Sequence, residues 1–262
     1  MKRLLTAVAL LGVAFYLVFW APQPVFFGAA VLMGLLCYRE YSALVAGHGI
    51  PKPGIFGVLA GLAILFAPEY ALVTITFLVL LAFMTALRSD NLGDVLPQVA
   101  CAFLGSFYTF APWHFAVRLR QLSVPLLLFA LALSWAGDSV AYYAGRRFGR
   151  HKLAPVVSPK KSWEGAIASV LGSVLFGMLY LGKLMPSIAP WKIVLMSVAG
   201  NLAGQFGDLA ESAIKRGAGV KDSGQLLPGH GGILDRVDST LFALPVVYLF
   251  LLLLRIPGLN SH

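Results

Sequence analysis

Nine stretches of largely apolar residues recur along this chain, at roughly 4–20, 25–46, 54–67, 70–87, 96–117, 124–144, 164–182, 191–212 and 240–255, and they constrain its fold more than any other feature. About 20 consecutive apolar residues in a helix cross a hydrocarbon core of ~30 Å. Within lipid only helices and closed barrels satisfy their own backbone hydrogen bonds. The pattern therefore predicts an all-α polytopic membrane protein with about nine transmembrane helices. The third stretch is short, and the break at Pro68–Glu69 leaves a re-entrant bend there as an alternative to a crossing. Composition agrees: 59% of the 262 residues are hydrophobic and 12% are charged, with a mean hydropathy of +0.82. Soluble globular chains carry about 25% charged residues, and disordered ones have low hydrophobicity. Both classes are excluded.

Charge orients the spans. Lys2 and Arg3 precede the first stretch, and no small-x-small cleavage site follows it before Ala21-Pro22-Gln23-Pro24, so it reads as a retained helix. With the N-terminus in the cytoplasm and nine crossings, 15 of the 20 Lys and Arg residues fall on the cytoplasmic side; the outer ones are Arg118, Arg120, Lys183, Lys192 and Arg255. This asymmetry obeys the positive-inside rule and puts the C-terminus on the outer side. It also accounts for the net charge of +9 without nucleic acid. Cys37 and Cys101 lie in apolar stretches and read as packing residues. The chain reads as a single integral membrane domain, 1–262. A hydrophobic helical scaffold covers 1–120, and a catalytic half covers 124–262 with cytoplasmic loops at 145–163 and 213–239.

The chemistry concentrates in that second half. Seven of the 11 acidic residues (Asp138, Glu164, Asp208, Glu211, Asp222, Asp235 and Asp238) lie there, on or beside the cytoplasmic side. A carboxylate in a membrane helix is costly and marks function. On the eighth stretch Asn201, Gln205, Asp208, Ser212 and Lys215 recur three or four residues apart, which puts them on one helical face. Such a stripe either lines a polar site or forms helix–helix hydrogen bonds, and its carboxylates favour the site. Ser134, Asp138, Tyr142 and Arg146 repeat the pattern on the sixth stretch, where Asp138 is either a ligand or the partner of a buried cation.

The densest segment is 212–238, SAIKRGAGVKDSGQLLPGHGGILDRVD. Glycines let backbone N–H groups approach phosphate oxygens. Lys215, Arg216, Lys221 and Arg236 can neutralise phosphate charge. Asp208, Asp222, Asp235 and Asp238 offer the oxygens that Mg²⁺ prefers. His230 is a candidate acid–base or a phosphate donor. In Ser158–Gly165, Ser162 is a candidate N-cap, Glu164 suits the first turn, and Lys160 and Lys161 beside a helix N-terminus form a phosphate site. Trp163 reads equally as an interfacial anchor. There is no Walker-type phosphate loop, dinucleotide fingerprint or Cys/His metal spacing. His48, His114, His151 and His262 read as incidental.

Ser212, Lys215, Arg216, Lys221, Asp222, His230, Gly231, Gly232, Asp235, Arg236 and Asp238 together resemble the signature of the phosphatidate cytidylyltransferase (CDP-diacylglycerol synthase) family. Asp138 to Tyr142 with Gly145-Arg146, and Ser158 to Lys161 with Glu164-Gly165, resemble it too; Ser162 stands where many members carry Thr. The likeness runs from Asp138 to Asp238, and the first half matches only in being hydrophobic and helical. The resemblance implies an all-helical, dimeric membrane enzyme that makes CDP-diacylglycerol and pyrophosphate from CTP and phosphatidic acid with Mg²⁺. It implies a catalytic set of Asp208, Asp235, Lys215, Arg236 and His230. Asp208 and Asp235 would ligate the metal, with Asp138, Asp222 and Asp238 as further candidates. Lys160, Lys161, Ser212, Arg216, Lys221 and Arg146 would bind substrate phosphates. The nearest rival is a CTP-dependent polyprenol or lipid kinase. A secondary transporter is disfavoured by the lack of a two-half repeat and by the one-sided charge.

Overall fold

The computed structural model describes residues 12–87, 91–227, 229 and 231–256. Lys2, Arg3, His230, His262 and residues 4–11 of the first apolar stretch lie outside the described residues; of that stretch, 12–19 are helical and are labelled α1. The helices that follow are α2 (Gln23–Gly47), α3 (Ile55–Phe66), α4 (Ala71–Ala86), α5 (Val95–Thr109), α6 (Ala111–Leu122), α7 (Val124–Phe148), α8 (Trp163–Leu184), α9 (Pro190–Gly217) and α10 (Leu234–Leu253). A two-stranded antiparallel hairpin, β1 (Lys152–Ala154) and β2 (Ser158–Ser162), precedes α8. The molecule is an all-α polytopic membrane protein apart from this hairpin.

Among the described residues seven helical segments are long and apolar enough to cross a membrane, and α3 is a shorter apolar helix. The 12 residues of α3 rise only about 18 Å at ~1.5 Å each. Pro68 then opens a 3₁₀ turn, Pro68–Tyr70, that carries the chain into α4. The stretch at 96–117 is two helices meeting at the wholly buried Phe110. Pro112, in the first turn of α6, has no N–H with which to continue the helical ladder.

The chain forms two compact units, residues 1–117 with 214–236, and 118–213 with 237–262. In the first, Phe110 is the centre of a close-packed seam. A Cβ at Gly34 would come within 2.5 Å of its ring, and one at Gly61 would strike it as well, so glycine at both positions lets α2 and α3 approach the aromatic side chain. Ser106 Oγ donates to the Gly57 carbonyl at 2.7 Å, tying α5 to α3. Ala60, Ala82, Val99, Ala102 and Phe103 fill the space between α3, α4 and α5. Leu72 and Met84 of α4 point outward and are exposed; in a bilayer such positions meet lipid.

In the second unit α7 packs along α8, with Leu126, Leu127, Phe129, Ala130 and Leu133 buried on one side of α7. Ser173 Oγ donates to the Leu133 carbonyl at 2.9 Å. Asn201 of α9 donates to Ser169 Oγ and Ser173 Oγ at 3.0 and 2.8 Å. Gly137 leaves room for this cluster, since its Cβ would meet all three side chains.

Candidate active site

The second unit gathers one set of candidate residues around its hairpin. Ser162 caps α8 as expected, accepting the Gly165 N–H at 3.2 Å. Glu164 does more than complement the helix dipole: it accepts the N–H groups of Arg150 and His151 at 3.1 and 3.3 Å and contacts His151 Nδ1 at 2.7 Å. His151 is therefore part of the joint between α7 and the hairpin rather than incidental. That joint holds Lys160 and Lys161 over a cavity of about 400 Å³ lined also by Asp138, Tyr142, Arg146, Ser169 and Gln205. The volume lies within the ~300–1,000 Å³ range of small-molecule sites.

Beside this cavity Lys161 forms an ion pair with Asp208, both side chains about 30% exposed. Ser212 Oγ donates to Asp208 Oδ1 at 3.3 Å. Asp138 lies within electrostatic reach of both Asp208 and Lys161. The polar stripe of α9 thus divides by depth. Asn201 and Gln205 serve helix packing, Gln205 donating to the Ala166 carbonyl at 3.1 Å and to Asn201 Oδ1 at 2.7 Å. Asp208 and Ser212 face the charged cluster.

The first unit organises the glycine-rich segment. Lys215 Nζ and Asp235 Oδ1 pair at 2.5 Å, with side chains 10% and 5% exposed. Asp235 Oδ2 accepts the N–H groups of Ser223 and Gly232 at 2.9 and 2.8 Å, and Ser223 Oγ lies 3.0 Å away. Arg216 turns its guanidinium onto the Val220 carbonyl at 2.9 Å. Lys221, Asp222 and Arg236 are exposed. Asp238, in the second unit, accepts the Ser239 N–H at 2.7 Å. His48 Nε2 lies 2.9 Å from the Ile214 carbonyl and so contacts the end of α9.

Glu40, in the first half of the chain, is the residue that sequence reasoning passed over. It is buried on α2 and accepts the Ile233 N–H at 3.0 Å and the Leu234 N–H at 2.8 Å, with Ser223 Oγ at 2.9 Å. The N–H groups that open a helix have no intrahelical partner; here α2 supplies a carboxylate to those at the start of α10, where negative charge suits the helix dipole. A signal was present, since a carboxylate on an apolar helix is itself a flag.

The glycines of this segment follow from the same contacts. Gly231 has φ +81° and closes a bridge in which the Leu227 N–H donates to its carbonyl at 2.9 Å. A Cβ on Gly232 would strike the Glu40 carboxylate and Ser223 Oγ. Gly232→Ala is therefore expected to lower turnover by about tenfold or more, with a lower unfolding temperature in detergent, because overpacking a tight site costs about 1–3 kcal/mol. Unchanged turnover and unfolding temperature would show that Glu40 and Ser223 can yield.

The chain is similar to known proteins well beyond its glycine-rich segment. Residues 1–254 match the model of the cytidylyltransferase family. A protein of Staphylococcus haemolyticus (strain JCSC1435) named phosphatidate cytidylyltransferase is 34% identical over 237 residues, covering 85% of this chain and 88% of that protein. A protein of the same name from Brucella abortus biovar 1 (strain 9-941) is 32% identical over 252 residues, covering 95% of this chain and 92% of that protein. The likeness includes the N-terminal helices as well as the charged clusters.

Proposed function

The chain belongs to the cytidylyltransferase family, and from this premise we infer that it is an integral membrane enzyme catalysing the reaction for which its relatives are named. A phosphate oxygen of phosphatidic acid attacks the α-phosphorus of CTP, the bond from that phosphorus to the β-phosphate bridging oxygen breaks, and CDP-diacylglycerol and pyrophosphate form. One observation carries the assignment of the site: the Lys161–Asp208 pair stands next to Asp138 at a cavity that Arg146 and Lys160 also line. Cationic side chains there meet the phosphates, and oriented donors around a site of developing charge lower the barrier without reorganising.

Among the described residues no group of three or more His, Cys, Asp or Glu side chains is placed to hold a metal ion. Mg²⁺ needs less, since one or two carboxylates with substrate phosphates and water complete its shell. Asp138 and Asp208 fit that demand and would hold it; bound there, Mg²⁺ would offset charge on the reacting phosphates. Asp235, which the family resemblance also implies as a ligand, is a separate candidate within the first unit. Of the Asp235 oxygens, Oδ2 already has three donors around it, so a cation would compete with Lys215 at Oδ1. Asp222 and Asp238 remain further candidate ligands. Ser212 supports Asp208, and Lys215, Arg216, Lys221, Arg236 and His230 belong to the glycine-rich segment proposed to meet phosphate.

Asp208→Asn removes the charge that holds Lys161 and is expected to lower turnover by ~10²-fold or more, the scale of deleting one preorganised electrostatic partner. Lys161→Ala is expected to raise the KM for CTP or phosphatidic acid. Initial rates on folded protein check both; wild-type kinetics in either variant would remove that residue from the site.

The site faces the cytoplasm, where CTP is available, with the N-terminus on the same side, nine crossings, the C-terminus outside, and two copies forming the working unit. A C-terminal phosphatase–fluorescent-protein reporter pair is expected to report the outer side. A cytoplasmic C-terminus would replace nine crossings by an even number.

A further inference from the structure

The first unit contains a second cavity, of about 550 Å³, whose lining shares no residue with the one at Asp138. It is bounded by the C-terminal half of α2, by Lys52, and by the segment Ser223–Leu226. Arg39 and Lys52 line it, both are exposed, and neither has a carboxylate partner among the described residues. Glu40 also lines it, but its carboxylate accepts the Ile233 and Leu234 N–H groups and contacts Ser223 Oγ. Ser42 Oγ, on the same wall, is shielded from solvent and has no hydrogen-bond partner among the described residues. Leu36, Ala43 and Leu226 add apolar surface to the wall, with Gln225 beside them.

Such a site asks for a particular chemistry. Arg and Lys side chains donate and never accept, and a shielded hydroxyl calls for a partner. The missing ligand is therefore anionic and rich in acceptor oxygens, with an apolar portion to cover the leucines. Depth points the same way. Arg39 lies eight residues before Gly47, the end of α2, or about 12 Å along the axis, and Lys52 follows that end. Two cations at this level match a lipid head group better than its acyl tails. Basic pockets between membrane helices on the cytoplasmic side bind head groups.

We propose that this cavity binds the phosphodiester head group of an anionic phospholipid, with Arg39 and Lys52 meeting its charge and Ser42 Oγ donating to it. The lipid is a bound effector, not the reacting substrate. One wall of the cavity is the segment whose Ser223 contacts both Glu40 and Asp235, so an occupied site braces the glycine-rich segment.

The test uses the full chain in detergent with phosphatidylcholine, titrated with phosphatidylglycerol and read by native mass spectrometry. Wild type is expected to retain phosphatidylglycerol, and Arg39→Gln/Lys52→Gln to bind it about twenty-five-fold more weakly, from ~fivefold per cation near a membrane surface. Turnover of CTP and phosphatidic acid in phosphatidylcholine alone reports that the double variant is folded. If it does not fold, Lys52→Gln, outside the helices, carries the test with its ~fivefold loss. Equal retention by wild type and a folded variant overturns the proposal. So does a site that retains pyrophosphate or phosphatidic acid in place of phosphatidylglycerol, which would make it a reactant site.

Discussion

Asp235→Asn is expected to abolish measurable turnover and to destabilise the protein. The side chain is nearly isosteric, so the effect is electrostatic. Lys215 would stay 10% exposed beside a neutral amide instead of a carboxylate. The amide nitrogen would also face either Lys215 or the donors of Ser223 and Gly232. Removing one partner of a buried pair costs about 3–5 kcal/mol, a large share of a typical stability of ~5–15 kcal/mol. Asp235→Asn/Lys215→Met separates structure from chemistry. An apolar replacement of both charges recovers stability in many buried pairs, so the double variant is expected to regain unfolding temperature but not turnover. Recovery of both would reduce the pair to scaffolding, and wild-type turnover in the single variant would remove Asp235 from the site.

Glu40→Ala is expected to have the next largest effect, although the residue belongs to the apolar first half of the chain. The substitution strips the carboxylate from the Ile233 and Leu234 N–H groups and from Ser223 Oγ. A buried donor left without an acceptor costs about 1–3 kcal/mol. The start of α10 and the glycine-rich segment would loosen together, with turnover falling by ~10²-fold or more, on the scale of ~3 kcal/mol. Glu40→Gln keeps one acceptor oxygen and should fall between wild type and Ala. That order, measured as initial rate alongside unfolding temperature, is the signature of a carboxylate that positions the segment. Glu40→Ala with wild-type values in both would contradict the reading.

The helices and the charged clusters are legible in the sequence for one physical reason: both are local. Apolar runs of bilayer length predict α2, α7, α8, α9 and α10, and the i, i+4 recurrence on α9 predicts its stripe. Ser162 is legible as a cap because the N-cap rule needs only a few residues. What escapes is non-local or lacks periodicity. Glu40 meets partners 183 to 194 residues away, and nothing near it in sequence names them. The hairpin at 152–162 is built from strands of three and five residues with Pro155 between them and Pro159 within β2, so no alternation announces it. Pro112 marks the break after Phe110, but the apolar run around it is long enough to read as one crossing. Asn201 and Gln205 share the face of Asp208, and only the position of α8 shows that they serve packing.

Cytidylyl transfer by this chain joins the α-phosphate of CTP to a lipid phosphate. The most direct test gives purified protein phosphatidic acid, Mg²⁺ and CTP labelled on the α-phosphorus. Label is expected in the lipid fraction, with an equal amount of pyrophosphate released. No labelled lipid, with CDP formed from an added polyprenol or lipid alcohol, would contradict it and show γ-phosphoryl transfer by a kinase instead.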